Sequence, residues 1–479
     1  MAKLSIPSNE RNGSATAAGQ RTTSAAASQE PRMGVLAEII RVETEKLETY
    51  LKEHGITQPS FHVDAPLDFP HLPDEIQESR QKIVFATNEL ANLVRGPRES
   101  VRFSAWSYLD SLSLQLINSY QLAKLVPLDA PISLKELQSK TTLEPIFLAR
   151  TLRYAMTNYM FYEPSPGYIA HTANSRVLAQ DSSLQAWVGF NSDSCFPAAA
   201  KVPDALKGHP EAVEPTHAGF NYAFDTVGKE PMYATLAKKP IESDRFARAM
   251  VSFTHGEGYE VSHLVDNYDF SDVDARGGTF VDIGGSHGFV SEALAKKWKN
   301  VNFIVQDRQE MVDSAPKPVS EDPTVAERLS FQVHDFFKEQ PVKGADGEPT
   351  SCFLIQSPRF PLSSTKANRV LVYYFRWILH NYSTPYAVKI LKSLIPALKP
   401  GSRIVINDYC IREPGSETLW DDKLLRSLDM IMGVLFNSQE RDEQEFRDLF
   451  KAADPRFHFK GVLRVENCKM SVIEAVWDE

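Results

Sequence analysis

Three residues able to do proton chemistry fall at the ends of strand-like segments or just beyond them. His380 closes VYYFRWILH, Asp408 lies in VINDYC, and Glu440 follows a helical stretch in LFNSQERDEQEF. Histidine titrates nearer neutrality than any other side chain. Two acids beside it would hold its ring and favour one tautomer. A base so placed could take a proton from a hydroxyl as its oxygen attacks an electrophile, an effect of about 10²–10⁴-fold. Aligning the reacting atoms in line would supply most of the rest. A single strand-end histidine is more often structural, so the inference rests on the three residues together. No H-x-x-x-H pair and no dense carboxylate cluster calls for a metal.

A second group surrounds a glycine turn. In TFVDIGGSHGFVSEALAKKWKNVNFIVQDR a strand leads into Gly284, Gly285 and Gly288, then a helix, a second strand and Asp307. In a βαβ unit such glycines let a ligand approach the backbone, and an acid about twenty residues on binds a ribose. A nicotinamide dinucleotide fits poorly. The spacing is G-G-x-x-G, and Asp282 would stand close to a pyrophosphate, a like-charge contact. A nucleoside without phosphate removes the objection. S-adenosylmethionine carries an ammonium and a sulfonium, which a carboxylate attracts. Asp307 then takes the ribose hydroxyls. Asp335 and Phe336, in VHDFF, are placed for the amine and the face of the adenine, although Asp335 also reads as a helix N-cap.

The elements that must position these groups begin at Phe270, where strands and helices alternate as in a parallel sheet covered on both faces. The expected strands are GTFVDIG, VNFIVQD, LSFQVHD, RVLVYYFRWI and SRIVINDYCI, with a final hairpin in FKGVLRVEN and KMSVIEAVWD. After His380 a helix is expected, capped by Ser383 or Thr384, with Pro385 in its first turn and Gly401 as its stop. Residues 33–215 read as mainly helical. Within them PISLKELQSKTTLEPIFLARTLRYAMTNYMFYEPSPGYIAHT has a winged helix-turn-helix pattern, with its second helix from Leu143 to Tyr159. That helix is mostly apolar despite Arg150 and Arg153, whereas a DNA-reading helix projects polar side chains. A packing or dimerisation module is the competing reading.

The net charge of −10 disfavours a nucleic-acid partner. No apolar run reaches membrane-spanning length. Cys195, Cys352, Cys410 and Cys468 show no paired spacing, which suits a reducing compartment such as the cytoplasm. Residues 1–32 are rich in Ser, Ala, Thr and Gly and read as a disordered tail.

From about Val101 to Glu479 the chain resembles the class I S-adenosylmethionine-dependent O-methyltransferases of the caffeate type, in their fungal secondary-metabolite branch. The glycine motif, YYFRWILHNYST, LKPGSRIVINDYCI, NSQERDEQEF and NYAFDTVGKEPMYATLAKKPIESDRFARAM carry the resemblance. It implies a Rossmann-like catalytic domain over 216–479 and a winged-helix dimerisation domain over 33–215, paired as a homodimer. It further implies His380 as general base, Asp408 and Glu440 as its partners, and Asp307, Asp335 and Arg376 in the cofactor site. The substrate would be a small, polyketide-type phenol. Apolar walls are expected from the region of Phe220–Tyr233 and from Met250, Phe253, Met430 and Phe436.

Two departures stand out. Asn381 occupies the place where many relatives have Asp. The segment 347–369 intervenes before the strand that leads to His380, and removing it leaves the natural join PVKGADVLVYYFRWILH. It reads as a retained intron or a surface loop, and sequencing the mature message decides between them. Two other functions are compatible with the same residues. One is a cofactor-binding relative that promotes pericyclic or dehydration steps without methylating. The other is a winged-helix regulator that binds DNA.

Overall fold

The computed structural model describes residues 31–254, 256–343 and 371–478. The segment 347–369 lies outside the described residues, as does all of the tail except its last two positions. Arg32 opens the first helix, Arg32–Glu53, instead of closing the tail. That helix lies along Asp74–Arg95, and Arg32 is paired with Glu89. Among the described residues no helix is long and apolar enough to cross a membrane.

The winged arrangement is present. Strands β1 (Ile132–Ser133), β2 (Tyr162–Ser165) and β3 (Tyr168–Ala170) form an antiparallel sheet in the order β1-β3-β2. Between β1 and β2 lie the helices Leu134–Ser139 and Pro145–Met156. The Ser133 hydroxyl accepts the Glu136 N–H at 3.1 Å, a side-chain cap for the first. The second is shorter than expected at both ends. Glu144 caps it through the Phe147 N–H, and Tyr159 takes a left-handed φ of 60° that a continuing helix forbids. Its exposed residues include Ile146 and Phe147, and Arg153 is paired with Glu163 of the wing.

Helices from Ala173 to Thr254 then pack with the late helix Leu419–Phe436 around one apolar cluster that includes Phe190, Phe220, Met232, Leu435 and Phe436. Between Ser182–Phe190 and Phe196–Gly208 the backbone widens into a π-turn, Asn191–Cys195. Its Asp193 is held by Gln115 Nε2 at 2.9 Å and Arg245 Nη1 at 2.6 Å, so two other helices fix the turn.

The seven-stranded sheet follows. Its strands are β4 (Thr279–Ile283), β5 (Asn302–Asp307), β6 (Leu329–Val333), β7 (Leu371–Arg376), β8 (Arg403–Asp408), β11 (Phe457–Arg464) and β12 (Ser471–Trp477), while β9 (Cys410–Ile411) and β10 (Arg441–Asp442) form a short parallel pair beside it. The order is β11-β12-β8-β7-β4-β5-β6, with β4 to β8 parallel and the last two antiparallel. Side chains alternate between the faces. Tyr373 and Phe375 of β7 join Ile404, Ile406, Leu391 and Phe450 on one side, and Val372 and Tyr374 join Phe303, Val405 and Leu294 on the other. Strand order reverses between β4 and β7, which places a crevice at their carboxyl ends.

Close helix packing beside the cavity has a sharp test. A Cβ on Gly219 would come 2.5 Å from the Ala198 carbonyl and 2.8 Å from Val202 Cγ2. Gly219→Ala should lower stability by about 1–3 kcal/mol, the usual overpacking cost. An unchanged urea midpoint would show that the two helices separate freely.

Candidate active site

Backbone shape at the end of β4 is set by positive φ. Gly284 and Gly288 have φ of 73° and 75°, and Ser286, which is not a glycine, has 52°. Gly284 N–H donates to Gln306 O at 2.7 Å, which ties the turn to β5. Asp307, at the end of β5, closes the arrangement: one carboxylate oxygen accepts the Ser286 N–H at 2.9 Å and the other its neighbour Arg308 N–H at 2.8 Å. The loop after β6 carries Asp335 and Phe336. Asp335 accepts the Phe337 N–H at 3.0 Å within a turn, not at the start of a helix, and it remains exposed. Phe336 meets Tyr382 edge to face at 5.7 Å. A buried amide pair, Gln306 and Gln340, with bonds of 2.8 and 2.9 Å, fastens this loop to β5. Arg376, at the end of β7, donates to the Asn407 amide oxygen and to Tyr259 O.

Asp282 differs from expectation. It is 2% exposed and lies directly beneath the turn, accepting the Ser291 hydroxyl at 2.7 Å. A Cβ on Gly285 would fall 2.5 Å from its carboxyl carbon, so that glycine is required by the acid below it. Burial pushes the Asp282 carboxyl up to about 6, against the pull of Ser291 and Arg376.

His380 is not in a strand. β7 ends at Arg376, Trp377 turns the chain with φ of 52°, and Leu379–Asn381 forms a 3₁₀ turn. His380 Nδ1 lies 2.8 Å from Glu440 Oε1, with the carboxylate 1% exposed. The register of β10 on β9 sets Arg441 opposite Cys410, two residues beyond Asp408, and this brings Glu440 to the imidazole. Glu440 N–H donates to Asp429 at 2.9 Å. Burial opposes a charged imidazolium, but Glu440 and then Asp408 outweigh it and raise the His380 pKa. Asp408 is 1% exposed, with the Trp377 backbone N–H acting on its carboxyl but no close hydrogen bond to either oxygen among the described residues. Burial lifts it to about 7, with His380 drawing it down and Glu440 driving it up.

Beside His380 opens a cavity of about 250 Å³ with chiefly apolar walls. Tyr233, Met250, Phe253 and Phe436 line it as expected. Met430 does not, being 65% exposed, and Phe220 lies in the core at 1%. Trp187, Asn191 and Cys195 form a wall that sequence reasoning missed. The signal was structural: an extra residue per turn in the π-turn changes which side chains face inward. Trp187 and Phe253 stack at 5.4 Å and 12°, a flat aromatic surface.

Beyond the cavity, the ligand atoms of His209, Glu211 and His217 lie within 4.8 Å of one another. The two rings stack at 3.6 Å and 14°. Imidazole lone pairs lie in the ring plane, so those of stacked rings run side by side and do not converge on one ion. The stack braces a loop whose Val213 and Glu214 bond to Ser383 and Tyr386, at the start of the helix after His380.

The family model for the O-methyltransferase domain matches residues 210–347 and 366–455, and the break falls inside the segment read as an insertion. The chain is 64% identical over 492 aligned positions to the chlorophenol O-methyltransferase of Trichoderma longibrachiatum, covering all of both chains. It is 35% identical to the O-methyltransferase gsfB of Penicillium aethiopicum, over 94% of this chain and 99% of that one. Among solved structures, OxaC aligns with a TM-score of 0.69 at 21% identity, over 93% of this chain and 99% of that chain, and a second structure of it holds sinefungin and meleagrin. LepI, solved with S-adenosylmethionine, aligns with 0.64 at 18%, over 92% and 100%. The chain belongs to the fungal O-methyltransferases of secondary metabolism, a family whose methyl donor is S-adenosylmethionine.

Proposed function

We propose that this enzyme methylates a phenolic hydroxyl of a small aromatic molecule, with His380 as general base. One observation carries the reading: His380 lines a cavity with aromatic walls while its Nδ1 is engaged by Glu440 at 2.8 Å. That contact fixes the tautomer and leaves Nε2 to accept a proton. Asp408 acts on the pair through its charge, since it bonds to neither partner. The similarity to a chlorophenol O-methyltransferase supports a phenol as substrate.

The residues at the glycine turn fit S-adenosylmethionine, which when bound supplies an electrophilic methyl on a sulfonium. Asp307, at a strand end and already oriented by two backbone N–H groups, is placed for a ribose diol. Phe336 offers a ring face and Asp335 an exposed carboxylate for the adenine, and Arg376 steadies the end of β7 beside them. Asp282 supports the turn from below. His380→Ala should leave adenosylhomocysteine affinity intact and lower kcat by about 10²–10⁴-fold. Asp307→Ala should do the reverse, weakening cofactor binding in calorimetry. Equal effects of both variants on both measurements would remove the division of labour.

The pH dependence follows from the raised His380 pKa. With a phenol that is un-ionised at neutral pH, the base must be free of its proton. Activity should therefore rise with pH, through a limb above the ordinary histidine value of about 6.5. A limb below that value in the kcat/KM profile would contradict the Glu440 and Asp408 effect.

We further propose a division near residue 215 into an N-terminal dimerisation part and a catalytic part. The helix Pro97–Trp106 buries none of its residues, and it exposes Val101, Phe103 and Trp106. An apolar face of this kind supports association with a second copy. Sedimentation should give twice the chain mass, and Val101→Glu with Trp106→Glu should return it to one. A wild-type monomer at micromolar concentration would defeat this.

A further inference from the structure

His380 lies just before one helix and Glu440 just after another, and a single short loop holds both helices. The loop runs from His209 to His217, between Phe196–Gly208 and Gly219–Ala223, and the stacked rings of its two histidines close its base. Glu214 O accepts the His217 N–H at 3.0 Å, which turns the chain back on itself.

From its middle the loop grips Thr384–Leu394, the helix after His380. Ser383 is the N-cap residue of that helix, yet its side chain makes no cap bond. The hydroxyl donates instead to Val213 O at 2.8 Å. In the first turn, the Tyr386 hydroxyl donates to Glu214 Oε2 at 2.6 Å. That bond, with burial, lifts the Tyr386 hydroxyl to about 12, so it stays a donor. A carboxylate is favourable at a helix N-terminus, where backbone N–H groups carry partial positive charge.

The second helix is held by the same residue. Leu419–Phe436 ends on Asn437, whose left-handed φ of 52° stops it. Asn437 Nδ2 donates to Glu214 O at 2.9 Å. Ser383 stands three residues after His380, and Asn437 three before Glu440. Glu214 thus touches both segments just outside the His380–Glu440 contact, by its carboxylate on one side and its carbonyl on the other. Ser438 and Arg441 cross-link the same segments closer in, through His380 O, Leu379 O and Tyr382 O. Glu214 does not line the cavity, so it bears on the chemistry through position alone.

We propose that Glu214 is a positioning residue for the His380–Glu440 pair, keeping the two segments where Nδ1 meets the carboxylate. This deepens the reading of His380 as general base and rests on it for its catalytic consequence. The imidazole itself reports the contact. Glu440 raises the His380 pKa, so a loosened contact lowers it.

Two measurements separate positioning from plain stability. The first needs no substrate. With adenosylhomocysteine bound and histidine isotopically labelled, NMR follows the His380 ring, identified by its absence in His380→Ala. The ring should titrate at lower pH in Glu214→Ala than in wild type, and likewise in Tyr386→Phe. Glu214→Gln, whose amide oxygen still accepts the Tyr386 hydroxyl, should stay close to wild type. The second measurement is methyl transfer to 4-chlorophenol. Glu214→Ala should lower kcat by roughly 10- to 100-fold, the scale of a small misplacement of a catalytic group, with adenosylhomocysteine affinity unchanged. Glu214→Ala and Tyr386→Phe combined should lose no more than the larger of the two. A His380 titration identical in Glu214→Ala and wild type overturns the proposal, as does an equal loss in Glu214→Gln. If Glu214→Ala does not fold, Tyr386→Phe carries the same test. If His380→Ala methylates 4-chlorophenol as fast as wild type, the base reading falls, while the titration still decides whether Glu214 sets the pair.

Discussion

A buried guanidinium holds the turn that carries His380. A charge that deep is strongly unfavourable unless its N–H groups are satisfied. Arg441 meets this by donating to Leu379 O and Tyr382 O, the carbonyls that bracket His380 and Asn381. The residue before it, Glu440, reaches the imidazole itself. Two consecutive residues thus divide the work, one orienting the ring and the other clamping its backbone. Both are delivered by the short β9–β10 pair, which links the end of the main sheet to the segment after the long cavity helix. Any movement of that helix is therefore felt at His380.

The cavity wall shows the same coupling from the other side. The π-turn at Asn191–Cys195 sits where helices from the first half of the chain meet Leu419–Phe436. Its Asp193 is anchored by Gln115, near the winged region, and by Arg245. The aromatic slot between Trp187 and Phe253 consequently depends on contacts made outside the sheet. The cofactor crevice is built almost wholly from the sheet and its loops.

Much of the sheet was legible because its central strands are short apolar runs, buried on both faces, and its turns carry glycines and acids in sequence. β4, β5, β6 and β8 fall within the expected segments. Three things were not legible. Trp377 adopts a left-handed φ that its side chain disfavours, so the strand before His380 reads as longer than it is. Glu440 and Asp408 look equivalent as acids, yet only Glu440 bonds to the histidine, a distinction made by the register of a two-residue bridge. Met430 and Met432 look interchangeable on one helix, but helical rotation exposes the first and turns the second into the cavity wall.

Asp282 shows how an electrostatic argument can survive a change of geometry. Read from the sequence, the acid stands at the turn and touches the ligand. In the fold it lies under Gly285, bonds to Ser291 and is 2% exposed, so it would reach a ligand chiefly through its field. A carboxyl group with little water around it is poorly screened, and only the turn's backbone separates it from the crevice. Burial also raises its pKa to about 6, which leaves it mostly ionised at neutral pH and neutral in mild acid. Two acids thus stand at different depths at this turn. Asp307 holds backbone N–H groups of the turn from the end of β5, and Asp282 lies buried beneath Gly285.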